Sequence, residues 1–190
     1  METNISLKQT RSENETNVSR LMLDTEVEKL MMTYHPGNQI AFSKYPERCV
    51  TGKSPTLIDV KKKYGLSNAK KWIVIEINDY QNFCCIKEDN KMDDNVVNEL
   101  SSMIIANLFY LKLTEVMLFF QRLKCGIYGE IYGCIEPSRI MRALRTFINE
   151  RSIILDNYDK KKMEEEFKEY KKNAMTREEW EKMKMNIHTS

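Results

Sequence analysis

The chain has 190 residues, with 30 basic and 28 acidic side chains and 42% hydrophobic residues. This length suits one domain with tails, and the formal net charge of +2 excludes a strong overall field that attracts nucleic acid or membrane. No apolar run is long enough to span a bilayer or to serve as a signal peptide, so we expect a cytoplasmic protein without membrane contact.

The first 53 residues show little regular periodicity. Residues 1–20 are polar, which predicts a disordered N-terminal tail. In residues 21–53 a short apolar helical pattern is followed by a stretch rich in proline and glycine, which predicts a short helix and a surface loop. The string TGKS at 51–54 resembles half of a phosphate-binding loop, but Glu47 stands where that pattern requires glycine.

Residues 54–152 contain the strongest helical patterns and predict the core domain. Ser54 and Pro55 have the residue types that begin a helix, and Gly65 is a natural end for it. Spacings of three and four then predict a second helix, whose inward residues are Ala69, Ile73, Ile77, Tyr80 and Cys84. The β-branched run WIVIEI leaves a strand open here, although the longer spacing favours a helix.

Three more helices complete the predicted core. One begins at Asp93 or Asp94, one at Thr114, and one at Pro137. The fold class we predict is mainly α, a compact helical domain of about five to six helices. Residues 153–190 predict a charged helical tail. Its thin apolar stripe can dock on the body or on a second chain, and it consists of Met163, Phe167, Tyr170 and Ala174.

The residue types that carry catalysis and metal binding are scarce. The chain has two histidines and no Cys-x-x-Cys pair, so we predict no metal site and no cofactor. No nucleophile lies in a recognisable elbow, so we predict no catalytic residue and no enzymatic activity. The five cysteines are expected to be free thiols, with Cys84 buried in the core.

The most distinctive segment is the near-tandem repeat IYGEIYGC at residues 127–134. Its glycines, with the one just before it, allow a positive φ, and they are Gly126, Gly129 and Gly133. One interpretation is a tight corner between two helices, which we favour for the glycines. The other is a binding loop whose amides hold a phosphate while Tyr128 and Tyr132 stack on bases.

Cations flank this loop on both sides. Arg122 and Lys124 end the preceding helix, and three arginines share one face of the following helix, namely Arg139, Arg142 and Arg145. Arginines in this pattern bind phosphates or the carboxylates of a partner, so these five residues and the two tyrosines form the predicted binding surface. A solvated charged face is the alternative interpretation.

A motif runs through the same region. It reads Tyr-Leu, Phe-x-Arg-x-Lys-x-Gly at a helix end, Tyr-Gly-x-x-Tyr-Gly, an acidic-Pro helix start and Arg-x-Phe-x-x-x-Arg. The residues that carry it here are Tyr110, Leu111, Phe120, Arg122, Lys124, Gly126, Tyr128, Gly129, Tyr132, Gly133, Pro137, Arg145, Phe147 and Arg151. Over residues 54–152 the chain resembles an uncharacterised family of small proteins from gut-bacterial chromosomes, mobile elements and phages. The resemblance implies no activity. The glycine-tyrosine segment is also loosely similar to accessory replication proteins of phages, which implies DNA-related work by analogy alone.

Two functions follow as expectations. The first is a non-enzymatic accessory protein of a phage or mobile element that binds nucleic acid or a nucleoprotein, with DNA or a replication protein as partner. The alternative is an adaptor or inhibitor that binds an acidic partner surface without nucleic acid. The oligomeric state stays open.

Overall fold

The structure, a computed structural model, describes residues 23–129, 134–175 and 177–187. It confirms a mainly α fold, and the residues it describes contain no strand. The helices are α1 (23–33), α2 (Gln39–Ser43), α3 (Pro46–Thr51), α4 (Leu57–Tyr64), α5 (Leu66–Phe83), α6 (Asp94–Asn107), α7 (Leu113–Lys124), α8 (Pro137–Asn173) and α9 (Arg177–Ile187). Short 3-10 helices lie at Pro36–Asn38 and Glu88–Asn90. The disorder predicted for residues 1–20 lies outside the described residues.

Helix α7 is the centre of the core. Its residues 113–120 are all buried, and α2, α3, α5 and α8 each contact it. The first two turns of α7 are therefore buried on every side, as expected for a helix in the middle of a bundle. The run WIVIEI lies within α5, so the helix predicted there is confirmed and the strand is excluded.

The prediction of a surface loop within residues 21–53 is wrong. Pro36 and Pro46 each begin a helical segment, where the missing N–H of proline leaves no broken hydrogen bond. Cys49 and Val50 of α3 are buried. The indole of Trp72 also donates a hydrogen bond to the Tyr34 carbonyl oxygen at 2.8 Å, which joins α5 to the end of α1. These helices are too short to show a hydrophobic period, so Pro36 and Pro46 give the stronger signal in the sequence, and that signal is typical of a loop.

Two helix starts also differ from the prediction. Thr56, and not Ser54, caps α4: its hydroxyl accepts from the Asp59 N–H, and the Asp59 carboxylate accepts from the Thr56 N–H at 2.9 Å. Helix α7 begins one residue before Thr114, whose hydroxyl instead donates to the Cys49 carbonyl oxygen at 2.8 Å. Ser and Thr favour both a cap and a first turn, so the sequence alone did not separate these positions.

Cys84 is half-buried, although we predicted that it is buried. It lies one residue past the end of α5, where the chain turns away from the core face that Ile73 and Ile77 share. All five cysteines are free thiols in the structure.

Helix α8 runs without a break for 37 residues, so the end of the predicted core and the predicted charged tail share one helix. Leu155 is its last half-buried residue, and every residue from 156 to 173 is exposed. Lys161 still pairs with Glu47 of α3 at 3.0 Å, and beyond this point α8 projects from the body. Within the described ranges, each helix is too short or too polar to cross a bilayer.

Candidate binding groove beside the glycine loop

The chain leaves α7 through a Schellman turn. Gly126 has a φ of +73°, its N–H donates to the Leu123 carbonyl oxygen at 3.1 Å, and the Ile127 N–H donates to the Arg122 carbonyl oxygen at 3.2 Å. These two hydrogen bonds satisfy the last carbonyl groups of the helix, and glycine suits the left-handed position between them. Gly129 also has a positive φ, +96°. Gly133 and Tyr132 lie outside the described residues.

We expect Gly126→Ala to lower the free energy of unfolding by about 1 kcal/mol, because a side chain is strained at positive φ. A Cβ at this position meets no atom within 4 Å, so the effect comes from backbone conformation and not from a clash. Urea denaturation measures it. Gly126→Asn is the matched control, since asparagine tolerates the left-handed region, and an equal loss in both variants contradicts this explanation.

Arg122 and Tyr128 both bind one carboxylate of α8. The Arg122 Nη1 donates to Glu150 Oε2 at 2.5 Å, and the Tyr128 hydroxyl donates to the same oxygen at 2.9 Å. The Tyr128 ring stacks on Phe119 with a centroid distance of 5.7 Å. Burial, reinforced by the Glu150 hydrogen bond, raises the pKa of Tyr128 above its usual range. The structure therefore places both residues in a contact between the loop and α8.

Lys124 is held inside the protein as well. Its ammonium forms an ion pair with Asp79 of α5 and donates to Gln39 Oε1 of α2 at 2.8 Å, and its side chain is 15% exposed. The two cations that end α7 thus stabilise contacts between helices. The sequence shows these cations but not their partners, which lie 28 and 45 residues away along the chain.

A buried carboxyl group adjoins Lys124. Gln39 Nε2 donates to Glu76 Oε2 at 2.5 Å, and Glu76 Oε1 has no partner among the described residues. Burial raises the pKa of Glu76 to about 8, and the neighbouring Asp79 charge adds to this shift. Glu76 is not among the residues that the sequence predicts as a site. The signal was a glutamate three residues after Ile73, on the buried side of α5.

A second buried carboxylate joins α7 to α8. Glu115 Oε1 accepts from Arg151 Nε at 2.6 Å, and Glu115 Oε2 accepts from the Lys112 N–H at 2.7 Å. The Arg151 guanidinium also lies 5.4 Å from the centre of the Tyr110 ring. Burial raises the pKa of Glu115, and Arg151 partly offsets that rise. Arg151 belongs to the sequence motif but was not predicted as a site residue.

The three arginines of α8 remain at the surface. Arg139, Arg142 and Arg145 are all exposed, and Arg139 lies 4.0 Å from the Glu136 carboxylate. Neither Arg142 nor Arg145 has an ion-pair partner in the part of the chain that the structure describes. These two guanidiniums are available for a ligand.

A groove of about 470 Å³ separates the turn after α7 from the first turns of α8. Four of its nine lining residues are aliphatic, and Arg139 and Arg142 are its charged members. Its lining is Leu123, Ile127, Tyr128, Gly129, Arg139, Ile140, Arg142, Ala143 and Thr146. The groove therefore unites four predicted site residues, Tyr128, Gly129, Arg139 and Arg142, whereas Arg122, Lys124 and Arg145 lie outside its lining.

The described lining of the groove contains aliphatic, hydroxyl and guanidinium side chains and one glycine. None of its described lining residues carries a carboxylate, an imidazole or a thiol. Cys49 lies elsewhere, is buried, and has its pKa raised to about 11 by burial, so its thiol stays protonated. The described residues contain no group of three side chains that could hold a metal ion. What the groove offers a ligand is an apolar surface beside guanidinium groups.

One comparison with known proteins identifies a family. The model of a family of unknown function, DUF6633, matches residues 91–187, which include α6 to α9 and every residue that lines the groove. This match extends into residues 153–187, beyond the region of the resemblance to an uncharacterised family. No curated protein and no solved structure matches the chain.

Proposed function

Because the chain belongs to DUF6633, a family of unknown function, we propose its role from the groove: a non-catalytic binding protein that takes an acidic segment of a protein partner. The observation that carries this proposal is the placement of Arg142. Its guanidinium is exposed, has no ion-pair partner among the described residues, and lines a groove that also presents four aliphatic side chains. We place this adaptor or inhibitor in the cytoplasm.

The chemical groups that line the groove support a peptide ligand. A guanidinium binds a carboxylate through two parallel hydrogen bonds, and an aliphatic pocket holds one apolar side chain. Ile127, which is 57% exposed, extends the apolar surface at the rim. An acidic segment with one leucine or phenylalanine uses both features at once. A bare phosphate backbone uses only the first.

A second candidate is the binding of nucleic acid or a nucleoprotein, as an accessory function in the replication of a phage or mobile element. The observation that favours it is the row formed by Arg139, Arg142 and Arg145, exposed at three-residue intervals along α8. Against it, the ring of Tyr128 already stacks on Phe119, and Arg122 and Lys124 already pair with carboxylates. DNA and a replication protein remain candidate partners under this proposal.

We expect Arg142→Glu to weaken the binding of a labelled peptide of alternating glutamate and leucine residues by about 10- to 100-fold. A hydrogen bond to a charged group contributes about 1.5–3 kcal/mol, which corresponds to this range. Fluorescence anisotropy at low and moderate salt measures the affinity. Arg145→Glu is the matched control: it makes the same charge change on the same helix, outside the groove, and we expect an effect of about twofold.

Single-stranded and duplex DNA of about 20 nucleotides, labelled in the same way, distinguish the two candidates. If the arginine row follows phosphates, Arg142→Glu and Arg145→Glu should weaken DNA binding equally, each reducing the salt slope by about one. That result supports the second candidate over the first. Wild-type protein that binds neither peptide nor DNA contradicts both.

A further inference from the structure

A pocket of about 310 Å³ lies between α2, α3 and the start of α7, and none of its described lining residues belongs to the groove. Three of these lining residues are aromatic, namely Tyr34, Phe42 and Tyr45. We call this site the aromatic pocket. Its volume suits a small-molecule ligand, since such sites are concave, largely apolar and carry a few polar groups.

The rings of the aromatic pocket offer a flat apolar surface. The rings of Tyr34 and Phe42 are stacked, with centroids 5.9 Å apart and planes at 17°. Tyr45 is 57% exposed, and the central guanidinium carbon of Arg48 lies 4.7 Å from the centre of its ring. This contact restrains the Arg48 side chain before a ligand arrives, which lowers the entropy lost on binding. A planar ring packs on such a surface by offset or edge-to-face contacts.

The charged members of the lining, Arg48 and Lys53, are both cations. Both are exposed, and neither has an ion-pair partner in the part of the chain that the structure describes. Glu47, the neighbour of Arg48 along α3, is already paired with Lys161 at 3.0 Å. No described lining residue carries a carboxylate, so none competes with a ligand for these cations. An anionic group meets a guanidinium that binds through two parallel hydrogen bonds, with an ammonium on the same pocket.

Two uncharged polar side chains of the lining are already used within the protein. The Cys49 thiol donates to the Phe42 carbonyl oxygen at 3.1 Å, and the Thr114 hydroxyl donates to the Cys49 carbonyl oxygen at 2.8 Å. A third lining residue, Ser54, has a buried hydroxyl oxygen without a hydrogen-bond partner among the described residues. A bound acceptor or an ordered water is the usual remedy for such a group. The cations and this hydroxyl can all donate, which favours a ligand rich in acceptors.

We propose that the aromatic pocket binds a small phosphate monoester of an aromatic compound. The planar ring packs against the aromatic side chains, and the phosphate binds Arg48 and Lys53. A phosphate monoester carries a charge of about −1.5 to −2 at neutral pH, which these two cations balance. Of the described lining residues, Thr114 alone lies within the family match at residues 91–187, so this site is independent of the groove and of its proposed function.

Isothermal titration calorimetry of the full chain with phenyl phosphate and with adenosine monophosphate tests the ligand class. We expect at least one of them to bind with a dissociation constant below about 1 mM, and the tighter one identifies the ring as phenyl or purine. Inorganic phosphate, and phenol or adenosine as the matching ring without phosphate, should each bind at least about 10-fold more weakly. Each of these uses only one part of the pocket.

A pair of variants locates the site. Arg48→Gln should weaken binding of the tighter ester at least about 10-fold, because a hydrogen bond between charged groups is lost. Lys44→Gln is the matched control: it removes an exposed cation of the same segment outside the lining, and we expect an effect of about twofold. Both positions are exposed, so the fold is kept. The proposal is overturned if neither ester binds, if inorganic phosphate binds as tightly as the esters, or if Arg48→Gln keeps the wild-type affinity.

Discussion

Arg151→Met should lower the free energy of unfolding by about 3–5 kcal/mol, the largest effect that we expect from a single substitution. Glu115 is fully buried, and Arg151 Nε donates to its Oε1 at 2.6 Å. Methionine preserves much of the packing but leaves the carboxylate without its cation. Removing one partner of a buried ion pair has a cost of this size, because the remaining charge stays desolvated. Urea denaturation near neutral pH measures the change.

Two companion variants make this experiment specific. Arg145→Met places the same substitution on an exposed site of the same helix, and we expect a change within about 0.5 kcal/mol. Glu115→Gln combined with Arg151→Met removes both charges and should recover part of the lost stability. If Arg145→Met destabilises the chain as much as Arg151→Met does, the buried pair is not the cause.

Glu76→Gln should reduce the pH dependence of stability between about pH 5 and pH 8. In the folded chain the pKa of Glu76 is raised from 4.5 to about 8. The folded state therefore holds a proton that the unfolded state has already released in this interval. The stability that the protonated Glu76 contributes is fully present below the pKa that Glu76 has in the unfolded chain. This contribution falls by roughly 1.4 kcal/mol per pH unit as the pH rises toward 8. Glutamine stays neutral throughout and has no proton to lose.

Urea denaturation at four pH values across this interval measures the slope. Glu99→Gln is the matched control, since Glu99 is exposed on α6 and should leave the wild-type slope unchanged. Asp79 and Lys124 lie in the same network and are kept in both variants, so they do not account for a difference between them. A Glu76→Gln protein with the wild-type slope contradicts a neutral, buried Glu76.

The long helices could be predicted because each one repeats the same physical requirement several times. Ala69, Ile73 and Ile77 face the core on successive turns of α5, and this periodicity outweighed the β-branched run that contains two of them. Helices α2 and α3 have five and six residues, too few for a hydrophobic period to repeat, so Pro36 and Pro46 gave a stronger and misleading signal of a loop. The success of the prediction depended on helix length.

The candidate site was predictable in part. The sequence shows cations around a glycine loop, and exposure at Arg142 and Arg145 follows from the helical period. It does not show that Glu150 and Asp79 return from distant segments to pair with Arg122 and Lys124. Nor does it show which arginines line the groove, because that depends on how the turn after α7 directs the chain back across α8.

The double contact on Glu150 has a consequence for the kinetics and entropy of recognition. One carboxylate of α8 accepts hydrogen bonds from Arg122, at the end of α7, and from Tyr128, in the turn that follows. Both sides of the groove are thereby fixed to each other before any ligand arrives. A ligand that enters meets a preorganised surface, so little conformational freedom is lost in the receptor, and the free energy of contact is retained as affinity. Cutting this link by Glu150→Ala, which removes both hydrogen bonds, should therefore lower the association rate constant of a ligand although every side chain that lines the groove is kept.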